Sequence, residues 1–367
     1  CYRERPDIGT FMEEWLSLYR SKSGERGIFN RQASKKTVEK LDGRREMDYD
    51  FGTNPCSEII LRSREFCNLS EAVISKDDTL ESLMEKVEVA AIIGTWQSTL
   101  THFPYLSRSW KENCQEERLL GVSLTGIMDN ELTNGRGETP LESFLPSLRK
   151  KTLETNEDVS NQIGINPSAA ITCIKPSGTV SQLVNAASGI HARHSEYYIR
   201  TVRGDKKDPL AQFMVDMGFP HEDCVMKPEH QWVFSFPVKS PENAVFRNDM
   251  SAIEQLELWL DYQRHWCEHK PSVTISVKEH EWFEVGSWVW THFDEVSGVS
   301  FLPSSDHTYK QAPYQECGVE EYEELLAKIP HDVDWSGLER FEKEDNTKGA
   351  QTYSCTAGSC EIVDLTD

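Results

Sequence analysis

At 367 residues, with 39 Lys and Arg against 61 Asp and Glu, the chain carries a formal net charge of -22. That length supports a large core in one big or two ordinary domains, and that charge excludes a duplex nucleic acid surface as a partner. No run approaches the roughly 20 apolar residues that span a bilayer, and no signal-peptide pattern opens the chain. Its ten cysteines lack the spacing of a disulfide scaffold, which suits a reducing, cytoplasmic setting.

The chain opens at Cys1 without an initiator methionine, so a trimmed, split or intein-spliced end is expected. Residues 7–20 predict an amphipathic helix, because Phe11, Met12, Trp15, Leu16 and Tyr19 recur at helical spacing. Residues 35–50 are highly charged and read as an exposed connection. A second helix is expected over 78–102, with Leu80, Leu83, Val87, Ala90, Ala91 and Ile93 on one face. The stretch 116–122, with Gly126 and Asp129 behind it, reads as helix packing with a glycine contact. A charged helix follows over 145–162, then a strand at 197–203 and helices at 208–218 and 251–268. Strands are expected at 272–277 and 298–302, and an acidic helix at 319–328. His265, Cys267 and His269 fall at i, i+2 and i+4, which do not share a helical face, so no metal site is expected there.

Three stretches carry chemistry. In Asn54-Pro55-Cys56-Ser57-Glu58, a thiol stands two residues from an amide and two from a carboxylate; in an extended segment all three point to one side. That is an apparatus for covalent or radical chemistry, although a buried structural cysteine in a strand is the competing reading. Next, the β-branched run from Ala169 to Ile174 ends in Lys175-Pro176-Ser177-Gly178-Thr179-Val180-Ser181. A strand passing through such a loop into a helix offers backbone N–H groups and hydroxyls to an anion. The triphosphatase phosphate loop is not present, and ordinary strand–turn–helix chemistry also fits. Finally, Cys355 and Cys360 sit in a small-residue tail, where a mobile dithiol carrying electrons explains them better than a zinc pair lacking two further ligands.

Together, Asn54-x-Cys56-x-Glu58, the Pro176–Ser181 loop and the terminal cysteine pair resemble the ribonucleotide reductase catalytic subunit, most of all its adenosylcobalamin-dependent, monomeric triphosphate-reducing branch. Glu116–Asp129 and Gln263–Val277 resemble the same branch. The resemblance implies an α/β fold, the C-terminal half of a ten-stranded barrel with a central finger loop near residues 52–67. It assigns 1–341 to the barrel and 342–367 to a flexible redox tail. It implies that Cys56 becomes a thiyl radical that takes the 3′ hydrogen of a ribonucleoside triphosphate, that Glu58 takes the 3′-hydroxyl proton, and that Asn54 holds the ribose hydroxyls. Cys67, eleven residues past Cys56, matches one member of the pair that reduces the 2′ position. Its partner lies upstream in the family, so a missing N-terminal half is expected, together with adenosylcobalamin and a thioredoxin-like reductant. The fragment alone is expected to be inactive. The strand at 298–302 lacks the tyrosine pair of the branch that imports its radical from a second subunit, and no glycyl-radical motif is found. That importing branch and a non-catalytic nucleotide-binding relative remain the alternatives.

Overall fold

The computed structural model describes residues 4–24, 26–304, 310–342, 351–356 and 359–364, the last two segments as backbone only. Local signals explain most of its elements. Helix α1 (Ile8–Ser21) starts where the Asp7 carboxylate accepts from the Thr10 N–H and stops at a left-handed Lys22. After strand β1 (Gly27–Phe29), α2 (Arg31–Glu39) occupies the first part of the stretch read as an exposed connection. The overlooked signal is Asn30, whose Oδ1 caps the Gln32 and Ala33 N–H groups while its Nδ2 donates to the Phe293 carbonyl at 2.7 Å. Leu41 and Arg45 beyond it are buried.

A short hairpin, β2 (Gly52–Thr53) and β3 (Ile60–Leu61), frames the Cys56 stretch. Strand β4 (Asn68–Val73) leads to α3 (Leu80–Gln97), opened by a Thr79–Ser82 capping box, and to α4 (Arg108–Glu117). The 116–122 stretch is not a packed helix: α4 ends at Glu117 and β5 (Leu120–Thr125) follows, all six residues buried. The alternation of Leu120, Val122 and Leu124 with Gly121, Ser123 and Thr125 is the period of a strand. Next come α5 (Leu141–Ile163), β6 (Thr172–Cys173) and the one-turn α6 (Val180–Leu183). Then follow β7 (Tyr197–Asp205), α7 (Pro209–Asp216), β8 (His221–Asp223), β9 (Gln231–Lys239), α8 (Ala252–His265), β10 (Thr274–Val277), α9 (Trp282–Thr291), β11 (Gly298–Pro303), β12 (Tyr314–Glu316), α10 (Val319–Leu326), β13 (Gln351–Thr356) and β14 (Ser359–Asp364).

The chain divides into two compact units, residues 1–193 with 241–304, and residues 194–240 with 305–367. In the first, β4, β5 and β6 are parallel, and a parallel bridge between Ile174 and Pro271 joins β6 to the chain entering β10, itself parallel to β11. The result is an open run of five parallel strands with β1 antiparallel at its far edge. The second unit holds the antiparallel sheet β12-β7-β9-β8 and the β13–β14 hairpin, whose register sets Cys355 opposite Cys360.

Helix α8 braces the centre of the first unit. Its fully buried aromatics spend their polar atoms on the backbone around β6: Trp259 Nε1 donates to the Pro271 carbonyl, and just past the helix Trp266 Nε1 donates to that of Cys173 at 2.8 Å. Nearby, Arg193 grips Asp129 through two parallel bonds of 2.8 Å, both groups buried, while Asp129 also accepts from the Ala187 N–H. Removing one partner leaves the other charge buried and uncompensated, at a cost of about 3–5 kcal/mol. Asp129→Ala is therefore expected to lower the unfolding free energy by about that amount in urea titrations, whereas the exposed Glu112→Ala at the Arg108–Glu112 pair shifts it by less than about 1 kcal/mol.

Candidate active site

The Cys56 stretch is a turn rather than an extended strand. Pro55 occupies the second position of a turn closed by the Ser57 N–H donating to the Asn54 carbonyl at 3.0 Å, and Ser57 lies in the left-handed region at φ 68°. Alternation of side chains is lost there, and the three functional groups separate. Cys56 is exposed at the tip, Glu58 is buried, and Asn54 turns its Oδ1 inward to accept from the Ile59 N–H at 3.0 Å. The Asn54 side-chain oxygen thus helps hold the turn. One oxygen of Glu58, Oε2, is buried without a hydrogen-bond partner among the described residues. A buried acceptor left bare is costly, which suits a group reserved for a proton arriving with substrate.

A non-glycine residue in the left-handed region costs roughly 1–3 kcal/mol and persists only where its surroundings impose it. Here they do so through three residues of the segment between α8 and β10. His269 Nδ1 accepts from the Ile60 N–H, the Lys270 N–H donates to the Glu58 carbonyl, Lys270 Nζ donates to Ser57 Oγ at 2.6 Å, and Ser272 Oγ donates to the Cys56 carbonyl at 2.5 Å. The same segment is stitched to β6 on its other side: the Glu268 and His269 N–H groups both donate to the Thr172 carbonyl, and Glu268 Oε2 accepts from the Ile171 N–H. None of these clamping residues was singled out as functional from the sequence. They lie more than 200 positions from the turn they hold, and only the run of buried-type polar residues Glu268-His269-Lys270 before a strand hinted at them.

Behind the turn, Arg45 donates to the Ile60 carbonyl at 2.8 Å and pairs with Glu117 at 2.8 Å and Glu65 at 3.4 Å. Burial, reinforced by Glu117, pushes the Glu65 carboxyl up to about 9, so it holds a proton at neutral pH. Cys67 Sγ lies over Gly121 of β5, where an added Cβ would stand 3.2 Å from the sulfur and collide with Leu69. Burial first, then the neighbouring Glu58 and Glu65 side chains, hold the Cys67 thiol well above its usual range, and Cys173 on β6 is raised mainly by burial. These sulfurs stay protonated, as hydrogen donors rather than thiolate nucleophiles.

The 175–181 loop runs from β6 into α6. Ser177, left-handed at φ 50°, and Ser181 are buried and bonded to each other, while Gly178 and Thr179 stand exposed. Two of the three sequence-selected stretches thus belong to the first unit, the 268–272 segment bonding to the Cys56 turn and to the strand that leads into the 175–181 loop. The third, Cys355 and Cys360, falls where only backbone is described. Among the described residues no His, Cys, Asp and Glu group has metal-holding geometry. A cavity of about 140 Å³ lined by Lys36, Arg44, Arg149 and Glu268 includes none of the turn residues, so enclosed volume does not mark this site.

No family model matches the chain. In fold it is like a solved B12-dependent (class II) ribonucleotide reductase, with a TM-score of 0.73 at 24% identity over 92% of this chain and 50% of that one. A class Id ribonucleotide reductase alpha subunit of Actinobacillus ureae gives 0.55 at 14% identity, over 82% and 62%. The fold is therefore the one these ribonucleotide reductases share, with the barrel left open among the described residues. Among curated relatives, an adenosylcobalamin-dependent ribonucleoside-triphosphate reductase of Euglena gracilis is 30% identical over 84% of this chain and 42% of its own length. Proteins described in the same words, one as probable, from Dictyostelium discoideum and Lactobacillus acidophilus are 31% and 28% identical over 87% and 93% of the chain. The chain spans about half the length of these relatives and matches their C-terminal part.

His269 offers a direct check on the geometry. Burial pushes its imidazole down from 6.5 to about 3, and with Nδ1 accepting from Ile60 it is the Nε2–H that donates to the Leu120 carbonyl at 2.9 Å. Because the folded group resists the proton that the unfolded one binds, stability falls as pH drops from about 6.5 toward 3, by about 1.4 kcal/mol per unit. Relative to His269→Gln, the wild-type chain is expected to lose unfolding free energy with that slope between about pH 6 and 4.5. Imidazole nitrogen shifts should report an unprotonated ring throughout.

Proposed function

We propose that this chain is the chemistry-bearing half of an adenosylcobalamin-dependent ribonucleoside-triphosphate reductase, working in the cytoplasm to supply deoxyribonucleotides. The observation that carries the reading is an exposed Cys56 thiol two residues from the buried Glu58, whose Oε2 has no hydrogen-bond partner among the described residues. In this reading Cys56 exchanges a hydrogen atom with the ribose 3′ carbon. Glu58 takes the 3′-hydroxyl proton onto Oε2, and the Asn54 amide donates to a ribose hydroxyl. Cys67, kept as a thiol, supplies reducing hydrogen at the 2′ position. The exposed Gly178 and Thr179 receive the phosphates, and the Cys355–Cys360 pair passes electrons from a thioredoxin-like reductant.

Adenosylcobalamin, when bound, supplies the radical that removes the hydrogen atom from Cys56. The chain's residues fit such a group: the thiol faces outward, where a large cofactor can approach. His269 and His191 have both ring nitrogens engaged with backbone groups, so neither is offered to cobalt. The absence of tyrosine from β11 supports local generation of the radical over import from a second subunit. No described helix is long and apolar enough to cross a membrane.

The test is to assay deoxynucleotide formation from CTP with adenosylcobalamin and a dithiol reductant. The 367-residue chain alone is expected to be inactive, and activity is expected when the complementary N-terminal half is added. Cys56→Ser is expected to remove at least about four orders of magnitude of that activity. Turnover by the chain alone, or unchanged turnover in Cys56→Ser, would overturn the reading.

A further inference from the structure

Glu71 on β4 and Lys175, where the chain leaves β6 for the loop, form an ion pair that the proposed chemistry does not use. In the parallel register Glu71 stands beside Ser123 of β5, and Ser123 beside Cys173 of β6, so the three share one face of the sheet. Two residues back on that face, Leu69 stands beside Gly121, where an added Cβ would meet Leu69, Ile59 of the hairpin and Cys67 Sγ. The opposite face belongs to α3, where Ser70 Oγ donates to the Ala90 carbonyl at 2.9 Å. The pair therefore sits on the face that carries Cys67 and meets the Cys56 hairpin.

Lys175 is fixed at both ends. Its N–H donates to Ser123 Oγ at 2.9 Å, and its carbonyl packs so closely under Gly189 that a Cβ there would collide with it. Its Nζ rests 3.5 Å from Glu71 Oε2, longer than a hydrogen bond, so the ammonium is placed while its three donors stay uncommitted. Glu71 is the more enclosed partner, its side chain 5% exposed against 25% for Lys175, and its Oε1 is buried without a partner among the described residues. A carboxylate in that position needs its cation, which keeps the ammonium over β4. Lys175 is also the only charged residue of the 175–181 stretch, in a chain of net charge -22. Backbone N–H groups and hydroxyls serve any phosphate alike, whereas a fixed cation attracts an anion in proportion to its charge.

We propose that Lys175 is a specificity-determining residue of this site, its ammonium held in place by Glu71 and pairing with the phosphates of a nucleoside triphosphate bound at the loop. The assignment rests on the reductase reading for its substrate, whereas the anion site stands on the geometry. Because the ammonium is already in place, little ordering is left to lose when a phosphate arrives. Glu71 acts only through Lys175, as its positioning residue. A triphosphate carries one charge more than a diphosphate, so the lysine favours the longer chain.

Lys175→Met alone would strand Glu71 as a buried charge, so the decisive variant joins it to Glu71→Gln and removes both charges together. In the enzyme reconstituted with its N-terminal half, the double variant is expected to raise KM for CTP at least about tenfold, and KM for CDP less, with kcat within about twofold of wild type. Lys175→Arg, which keeps the point charge, should recover most of that loss. Glu71→Gln alone should lose part of the preference for CTP over CDP. An unchanged KM ratio in the double variant, or a fall in kcat at unaltered KM, would overturn the assignment. A Glu71→Gln enzyme as selective as wild type would remove the tether. Calorimetric titration of the 367-residue chain with inorganic tripolyphosphate separates the two readings, with affinity expected to fall at least about tenfold in the double variant. Equal affinity in the two chains, or none in either, would sink the anion site. Lys175-dependent binding without cobalamin-dependent reduction by the wild-type enzyme would sink the reductase reading and leave the site standing.

Discussion

The arrangement of the first unit depends on a short extended segment, Glu268 to Ser272, that must satisfy two neighbours at once. On one side it completes the backbone bonding of β6, and on the other it bonds the carbonyls of Cys56 and Glu58 and the N–H of Ile60. Buried backbone groups without partners are costly, so neither neighbour can shift without breaking the other's register. The weight of α8 lies behind this, with Trp259 seated on the Pro271 carbonyl of the segment itself and the adjoining Trp266 on the Cys173 carbonyl of β6. A strained left-handed serine at the tip of the turn is tolerable because so many bonds converge on its flanks.

From that scaffold the chemistry of the site follows by layers. The sulfur at the tip meets solvent, the carboxylate two residues on does not, and Lys270 is fully buried. Burial acts with opposite sign on these groups. It keeps the thiols of Cys67 and Cys173 and the carboxyl of Glu65 protonated, while it loosens the proton of Lys270 and keeps His269 neutral. Burial thus leaves protonated thiols and a protonated carboxyl in the first unit, without a metal-binding cluster among the described residues.

How far this was legible in the sequence varies with the range of the signal. Helices α1, α3, α5 and α8 announce themselves through apolar spacing and caps, and β7, β10 and β11 through β-branched runs; all these are local. The Asn54–Glu58 stretch was conspicuous by composition, yet its shape was not, because Pro55 and a left-handed Ser57 convert a strand-like spacing into a turn. β5 is legible only in part: Leu120, Val122 and Leu124 alternate with the small Gly121 and Ser123, and nothing local shows that both faces are covered. Asn30 was passed over as one charged-region polar residue among many, although an asparagine before a helical run is a cap signal. Lys270 was invisible for a different reason: its partners, Ser57, Phe29 and Gly298, come from three distant places in the chain, and nothing local distinguishes a buried lysine from an exposed one.

The order of strands in the first unit leaves β4 at one margin of the parallel run, bonded to β5 on one side only among the described residues. Six residues of extended backbone with a vacant ladder are a template for any passing strand, including another copy of the same one. What stands against such stacking is electrostatic, because a net charge of -22 makes copies repel. That protection has a range of about 10 Å at 0.1 M salt and only about 3 Å at 1 M. The colloidal behaviour of this polypeptide is thus tied to ionic strength: concentrated salt removes the repulsion while the exposed ladder remains.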